Sequence, residues 1–267
     1  MPLAVCATPI GNLEDVTLRV LRELAEADLV LCEDTRHTRK LLERHGVSAR
    51  LLSYHEHNEA ERTAEVLPRL EAGEWVALVS DAGLPGVSDP GARLVSAALE
   101  AGVQVTVLPG PSAVETALVA SGLVGERYQF VGYLPRGERA RAALWEELAR
   151  WPDAVVAFES PRRLPAALAS LAAVMPERRV AVCRELTKRF EEVARGTAAE
   201  LARRFSEPPK GEITLVLGAH EAVGGDEADA LTAVAELVEA GAGRRQASDV
   251  VARLTGLSRN RLYRTSL

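Results

Sequence analysis

The stretch VSDAGLPGVSDPG (79–91) puts three Gly, two Pro, two Asp and two Ser into thirteen positions. It follows the apolar run WVALV and precedes a helix-like segment, ARLVSAALEAG. Reversing the chain takes only about two or three residues of these types, so the surplus implies that something sits against the loop. A phosphate cradle does not fit. No Gly-Lys-Ser/Thr follows, and the glycines at 83, 86 and 91 miss the dinucleotide spacing. Asp81 and Asp89 would also repel an anion. Ser80, Asp81, Ala82 and Gly83 suit a neutral or cationic ligand that needs close backbone contact, and Asp89 is expected to cap the next helix.

Four further segments share its placement at the C-terminal end of an expected strand: ATPIGN (7–12), CEDTR (32–36), PGPSA (109–113) and FESPRR (158–163). Ligands of open α/β sheets bind in the crevice outside those ends. In PGPSA the prolines fix the backbone, Gly110 permits close approach, and Ser112 can cap a helix beginning near Ala113. YHEHNE (54–59) would place His55 and His57 on one face of a strand. No third ligand is near and no H-E-x-x-H is present, so a polar or substrate-facing edge is the better reading and no metal is expected. RELTKRFEE (184–192) reads as a charged, solvated segment leaving a strand.

Strand-length apolar runs alternate with amphipathic segments. LAVCAT (3–8), DLVLCED (28–34), RLLSY (50–54), WVALVSD (75–81) and VQVTVLPG (103–110) are separated by helical patterns over 17–27, 36–46, 57–72 and 91–102. That alternation builds a mostly parallel sheet covered on both faces. After SGLVGER (121–127) a second set follows, with strands at 128–134, 154–160, 179–186 and 212–218 and helices at 138–150, 162–174 and 197–205. AVGGDEAD (222–229) reads as a linker into a helical tail turning at Gly256, with Ser258 capping the last helix. The expected organisation is an α/β domain over 1–120, a second over 121–222, and a small basic module resembling a helix-turn-helix over 223–267.

The 267 residues suit two domains at roughly 100–150 residues each. No run approaches the roughly 18–20 apolar residues of a membrane span, and the N-terminus lacks signal-peptide character; a soluble, cytoplasmic protein is expected. Cys6, Cys32 and Cys183 are far apart and odd in number, which argues for reduced, buried thiols. The net charge of −6 gives no overall nucleic-acid footprint. Residues 241–267, however, carry six Arg against one acid, so an acidic chain ends in a basic module.

Taken together, ATPIGNLEDVTLR, CEDTRHTRKLL, YHEHNE, VSDAGLPGVSDPG, LPGPSAVETAL, FESPRR, CRELTKRFEE and KGEITLVL resemble the tetrapyrrole-methylase superfamily, and within it the branch of ribosomal RNA small subunit methyltransferases I. The resemblance runs from about residue 3 to 218. It implies two α/β domains with S-adenosylmethionine in the cleft between them, a homodimer, and methyl transfer to the ribose 2′-oxygen of a decoding-region cytidine in small-subunit rRNA, as naked RNA or assembled particle. By motif, Pro9, Ser80, Asp81, Ala82, Gly83, Ser112 and Ala113 stand at the family's cofactor contacts. Glu159, Leu186 and Gly211 stand at strand ends closing over the adenosine. Ser-Asp-Ala-Gly replaces the Gly-Gly-Asp-Pro of relatives, and Leu84 replaces a threonine common in the branch, so no hydroxyl role is carried over there.

A sulfonium and an ammonium against one carboxylate suit acidic, backbone-rich loops. Methyl transfer is an in-line displacement served by positioning, and the weakly acidic ribose hydroxyl benefits from a proton acceptor. Strand-end candidates are Glu33, Asp34, Glu185 and Lys188; the lysine would need a depressed pKa or would instead hold a phosphate. Arg36, Arg244, Arg245, Arg259, Arg261 and Arg264 are candidates for RNA contact. Two alternatives remain: a tetrapyrrole or other small-molecule methyltransferase, which would not need the basic tail, and a ligand-sensing regulator whose tail binds DNA.

Overall fold

The computed structural model describes residues 2–219, 227–255 and 257–265. Its first sheet contains β1 (Leu3–Cys6), β2 (Leu29–Cys32), β3 (Leu51–Ser53), β4 (Val76–Val79) and β5 (Val105–Leu108). All neighbours pair in parallel, in the order β3-β2-β4-β1-β5. The apolar runs are continuous because both faces are covered. Leu3, Val5, Leu29, Leu31, Val76 and Leu78 enter one buried cluster, whereas the alternate Ala4, Cys6, Val30, Cys32, Ala77 and Val79 enter another. Helices α1 (Leu18–Glu26), α2 (Thr35–Arg44), α3 (Glu59–Glu71) and α4 (Ala92–Glu100) connect the strands.

The second sheet contains β6 (Tyr128–Tyr133), β7 (Ala154–Glu159), β8 (Arg179–Arg184), β9 (Glu192–Thr197) and β10 (Ile213–Leu217), in the order β6-β7-β10-β8-β9. Only β6 and β7 are parallel; the other pairs are antiparallel. Strand β9 begins at the end of the charged segment 184–192, at a place where the sequence suggested no strand. The chain turns back at 185–191 and pairs Glu192 with Arg184, burying Ala194 and Gly196. Charge at its first residues hid the strand.

Helix α5 (Ala113–Ser121) follows β5 in sequence but packs on β10, β8 and β7 of the second sheet. Val114, Ala117 and Leu118 join Ala181, Cys183 and Val216 in one buried cluster, together with Ile10 from the loop after β1. The two sheets are therefore joined through shared core. Helices α6 (Glu138–Leu148), α7 (Leu164–Val174) and α8 (Ala198–Arg204) belong to the second sheet's layer, and Trp145 is fully buried in its core.

At the C-terminal end, α9 (Glu227–Glu239), α10 (Arg244–Thr255) and α11 (Arg259–Thr265) bury Val234, Ala247, Val251 and Leu262 together. Ser258 accepts from the Arg261 amide at the start of α11. The linker positions 222–226 and the turn at Gly256 lie outside the described residues. Cys6, Cys32 and Cys183 are free and buried, and burial pushes their thiols up to about 12, 11 and 12. No helix among the described residues is long and apolar enough to cross a membrane.

Candidate functional site

The strand ends of the two sheets enclose a cavity of about 680 Å³, within the range of small-molecule sites. One wall is Ala82, Gly83 and Asp89 after β4, with 109–113 after β5. The other is Phe130, Tyr133, Phe158, Glu159, Leu186 and 212–214. The first wall is braced from behind. Thr8 and Gly83 exchange backbone hydrogen bonds of 2.8 and 3.0 Å, and the Thr8 hydroxyl donates to the Ser80 carbonyl at 3.0 Å. Gly83 has φ +75, which favours glycine. At Gly110 a Cβ would come within 2.9 Å of the Ala7 Cβ, so glycine lets this loop lie on the one after β1.

Of the residues assigned to cofactor, Ala82, Gly83, Ser112, Ala113, Glu159 and Leu186 line the cavity. Pro9 and Ser80 are buried behind it, where the Ser80 hydroxyl donates to the Ala82 carbonyl at 3.2 Å. Asp81 is occupied too: its Oδ1 accepts the Asp34 amide at 3.1 Å. Gly211, at φ +95, lies against the Glu185 side chain. Ser112 stands at the start of α5 but does not cap it; its hydroxyl donates to the Glu115 carboxylate, which also accepts from Tyr128 at 2.6 Å.

Asp89 requires a correction. Helix α4 has Gly91 at its N-cap position and no side-chain cap, and Asp89 faces the cavity. Burial, helped by the charges of Glu33 and Asp81, pushes its carboxyl up to about 6, against a hydrogen bond from Ser80 that pulls it down. The YHEHNE reading also shifts. Strand β3 ends at Ser53, so His55 and His57 sit in a turn with ring centroids 6.0 Å apart. No cluster of three or more metal-ligating side chains occurs among the described residues.

The four proton-acceptor candidates stand off the cavity wall. Asp34 accepts at the N-terminus of α2 and pairs with Arg36 at 2.8 Å; these hydrogen bonds hold its carboxyl well below the usual range. Glu185 is held low by the Glu212 amide and then by Lys188. Lys188 is raised: burial disfavours its charge, but hydrogen bonds to Glu212 and Glu185 outweigh that, so it is a cation and not an acceptor. Glu33 is raised by burial and by Asp81, yet it too does not line the cavity.

Three non-glycine residues have positive φ among the described residues: Ser88, Glu185 and Thr187. All three lie in loops flanking the cavity, as stored strain at functional sites commonly does. Glu159 is fully buried, pairs with Arg163 at 2.5 Å and leaves its Oε2 without a partner. Carboxylates at 89, 115, 159 and 212 line the cavity, and no lysine or arginine does among the described residues. The cavity therefore favours a cationic ligand with a large apolar part. The sequence reading missed Phe130, Tyr133 and Phe158; the aromatic alternation of β6, YQFVGY, was the available signal for the first two.

The basic residues divide. Arg36 is exposed but paired to Asp34. Arg245, Arg261 and Arg264 are exposed, Arg259 reaches Asp249 at 3.3 Å, and Arg244 lies over the Tyr263 ring at 5.1 Å.

The sequence profile of the tetrapyrrole (corrin/porphyrin) methylases matches residues 2–202. A ribosomal RNA small subunit methyltransferase I from Mesorhizobium japonicum is 44% identical over 99% of this chain and 91% of its own length. One from Synechocystis is 42% identical over 99% and 97%. Among solved structures, the methyltransferase CobJ superposes with a TM-score of 0.63 at 19% identity, covering 82% of this chain and 94% of that one. A Thermus thermophilus uroporphyrin-III C-methyltransferase complexed with S-adenosylhomocysteine gives 0.57 at 19% identity, over 81% and 96%. These likenesses concern the fold.

Proposed function

The chain belongs to the tetrapyrrole (corrin/porphyrin) methylase family, in its ribosomal RNA small subunit methyltransferase I branch, and we propose that it methylates the ribose 2′-oxygen of a decoding-region cytidine in small-subunit rRNA, using S-adenosylmethionine. The observation that carries this is the acidic cavity between the sheets. Its lining fits the cofactor: carboxylates offset the sulfonium and ammonium, the glycines let backbone approach, and the unpaired Glu159 Oε2 leaves an acceptor for a ligand donor. When bound, S-adenosylmethionine supplies an electrophilic methyl group.

The chain's own residues then hold and orient. The braced loop at 80–83 and the 109–113 turn form one wall for the cofactor, and Glu159 and Leu186 form part of the other. Positioning of two reactants supplies much of the acceleration in such a displacement. The arginines of α10 and α11 supply phosphate attraction outside the cavity. A tetrapyrrole substrate would leave that basic module without a purpose. The reading includes a cytoplasmic homodimer, as the family likeness implies.

Labelled methyl transfer tests it. Small subunits lacking the modification should gain one methyl per particle, and nuclease digestion should release it as 2′-O-methylcytidine. Label on an rRNA base, or on a tetrapyrrole with none on rRNA, would overturn the reading.

A further inference from the structure

We propose that Asp89 is the group that accepts the proton of the ribose hydroxyl, with the Tyr133 ring opposite it as the surface on which the acceptor nucleotide stacks. This rests on the ribose-methylation reading above. Asp89 lines the cavity from the loop after β4, and Tyr133 lines it from the bulged end of β6. The loop and the strand end meet: a Cβ on Gly132 would lie 4.0 Å from the Ser88 hydroxyl. Ser88 at φ 62 and Gly132 at φ 68 both sit in the left-handed region. Strain at Ser88 thus accompanies a backbone path that carries Asp89 into the cavity and away from the helix start.

Asp89 also differs in its partners from most of the carboxylates nearby. Asp34, Glu185 and Glu159 are each paired with a cation, and Glu115 accepts two hydroxyls. Among the described residues Asp89 has no ion pair. The groups that face it are Glu33 after β2, with Asp81 and the Ser80 hydroxyl after β4. On β6 it raises the Tyr133 phenol in turn, second to burial. Partial burial first, and then the charges of Glu33 and Asp81, make its carboxylate more basic than usual, about 6, while leaving it ionised at neutral pH.

Tyr133 is 61% exposed. Its ring stands edge-on to Phe158 at 5.5 Å, and Phe158 to Phe130 at 4.9 Å. That ladder fixes Tyr133 while leaving one side open, which suits an unstacked base. As the ribose oxygen gains its methyl, its O–H bond breaks and the proton passes to Asp89. The electron pair of the methyl–sulfur bond stays on sulfur, which becomes a neutral thioether, and Asp89 returns the proton to water.

The test compares wild type with Asp89→Asn, Asp89→Glu and Tyr133→Ala. Single-turnover methyl transfer is followed from pH 5 to 8.5, cofactor affinity by calorimetry, and the Asp89 carboxyl by carbon NMR in the ligand-free protein. Wild-type rate should rise with pH to a break near 6, and the Asp89 resonance should titrate there. At saturating cofactor, Asp89→Asn should lose the break and slow by about 100-fold or more; Asp89→Glu should recover part of the rate. Tyr133→Ala should weaken RNA binding by about 1–3 kcal/mol, or roughly 5- to 150-fold, without moving the break. A wild-type rate in Asp89→Asn, or a carboxyl titrating near the ordinary 3.8, would overturn the assignment while the function stands. No transfer to rRNA by wild type would instead sink the function reading, whatever Asp89 does.

Discussion

Gly11→Ala tests the contact through which the first sheet's leading loop meets the second sheet. An added Cβ would lie 2.6 Å from Lys188 Cγ, 2.7 Å from Thr187 Oγ1 and 2.8 Å from the Leu186 carbonyl oxygen. Lysine can swing aside. The carbonyl and the Thr187 side chain cannot do so cheaply, because the backbone there already holds Glu185 at φ 53 and Thr187 at φ 66. Overpacking of this kind costs about 1–3 kcal/mol. Separating the loops also breaks the 2.9 Å bond from the Asn12 amide to Thr187 Oγ1, for about 0.5–1.5 kcal/mol more. A loss of about 2–4 kcal/mol corresponds to a Tm lowered by roughly 5–15 °C. Because Leu186 lines the cavity, cofactor affinity should fall with it. Gly46→Ala is the control: it has φ +66 but nothing within 4 Å, so it should cost only the left-handed strain, about 1–2 kcal/mol, and leave affinity alone. Calorimetry and a thermal melt decide. A Gly11→Ala protein with wild-type Tm and affinity would refute the reasoning.

Glu159→Gln removes the charge that pairs with Arg163 inside the cavity wall; S-adenosylmethionine binding by calorimetry should weaken about tenfold or more, as for a hydrogen bond to a charged group. Asp34→Asn should lower Tm at neutral pH. The wild-type carboxyl is depressed below 3.8, so its contribution is present above that value and lost as pH falls; a gap equally wide at pH 2 would contradict the pairing with Arg36. Asp89 carries the opposite sign. Its carboxyl is raised from 3.8 to about 6, so wild type loses stability as pH rises through that window, and Asp89→Asn should melt higher than wild type at pH 7 but not at pH 3.5. Arg245→Ala with Arg264→Ala should flatten the salt dependence of RNA binding by about one unit of slope or more and spare cofactor affinity; an unchanged slope would make α10 and α11 a structural cap.

Most of the first sheet was legible because its strands are buried on both faces and its helices on one, so apolar runs and helical periods alternate cleanly. Strand β9 was not, since Glu192 pairs with Arg184, Arg195 reaches the Ser121 and Ala120 carbonyls at the end of α5, and only Ala194 and Gly196 are buried. The candidate site was legible as a set of strand-end loops rich in Gly, Pro and Asp. Which member of each loop faces inward was not. Asp81 and Asp89 are the same residue type eight positions apart, yet one holds a backbone amide and the other lines the cavity. Asp34, Glu185 and Lys188 looked equally available until their partners were known.

By itself, then, the sequence determined most of the elements, the family likeness and the acidic character of the loops, because those follow from residue type and short-range spacing. Only the tertiary structure decided that α5 and Ile10 pack on the second sheet, that Asp89 and Tyr133 line one cavity, and that Asp34, Glu159 and Glu185 are already paired. Each of these depends on residues far apart in the chain, and on which cation or burial each charge meets after folding. No local pattern encodes that distance.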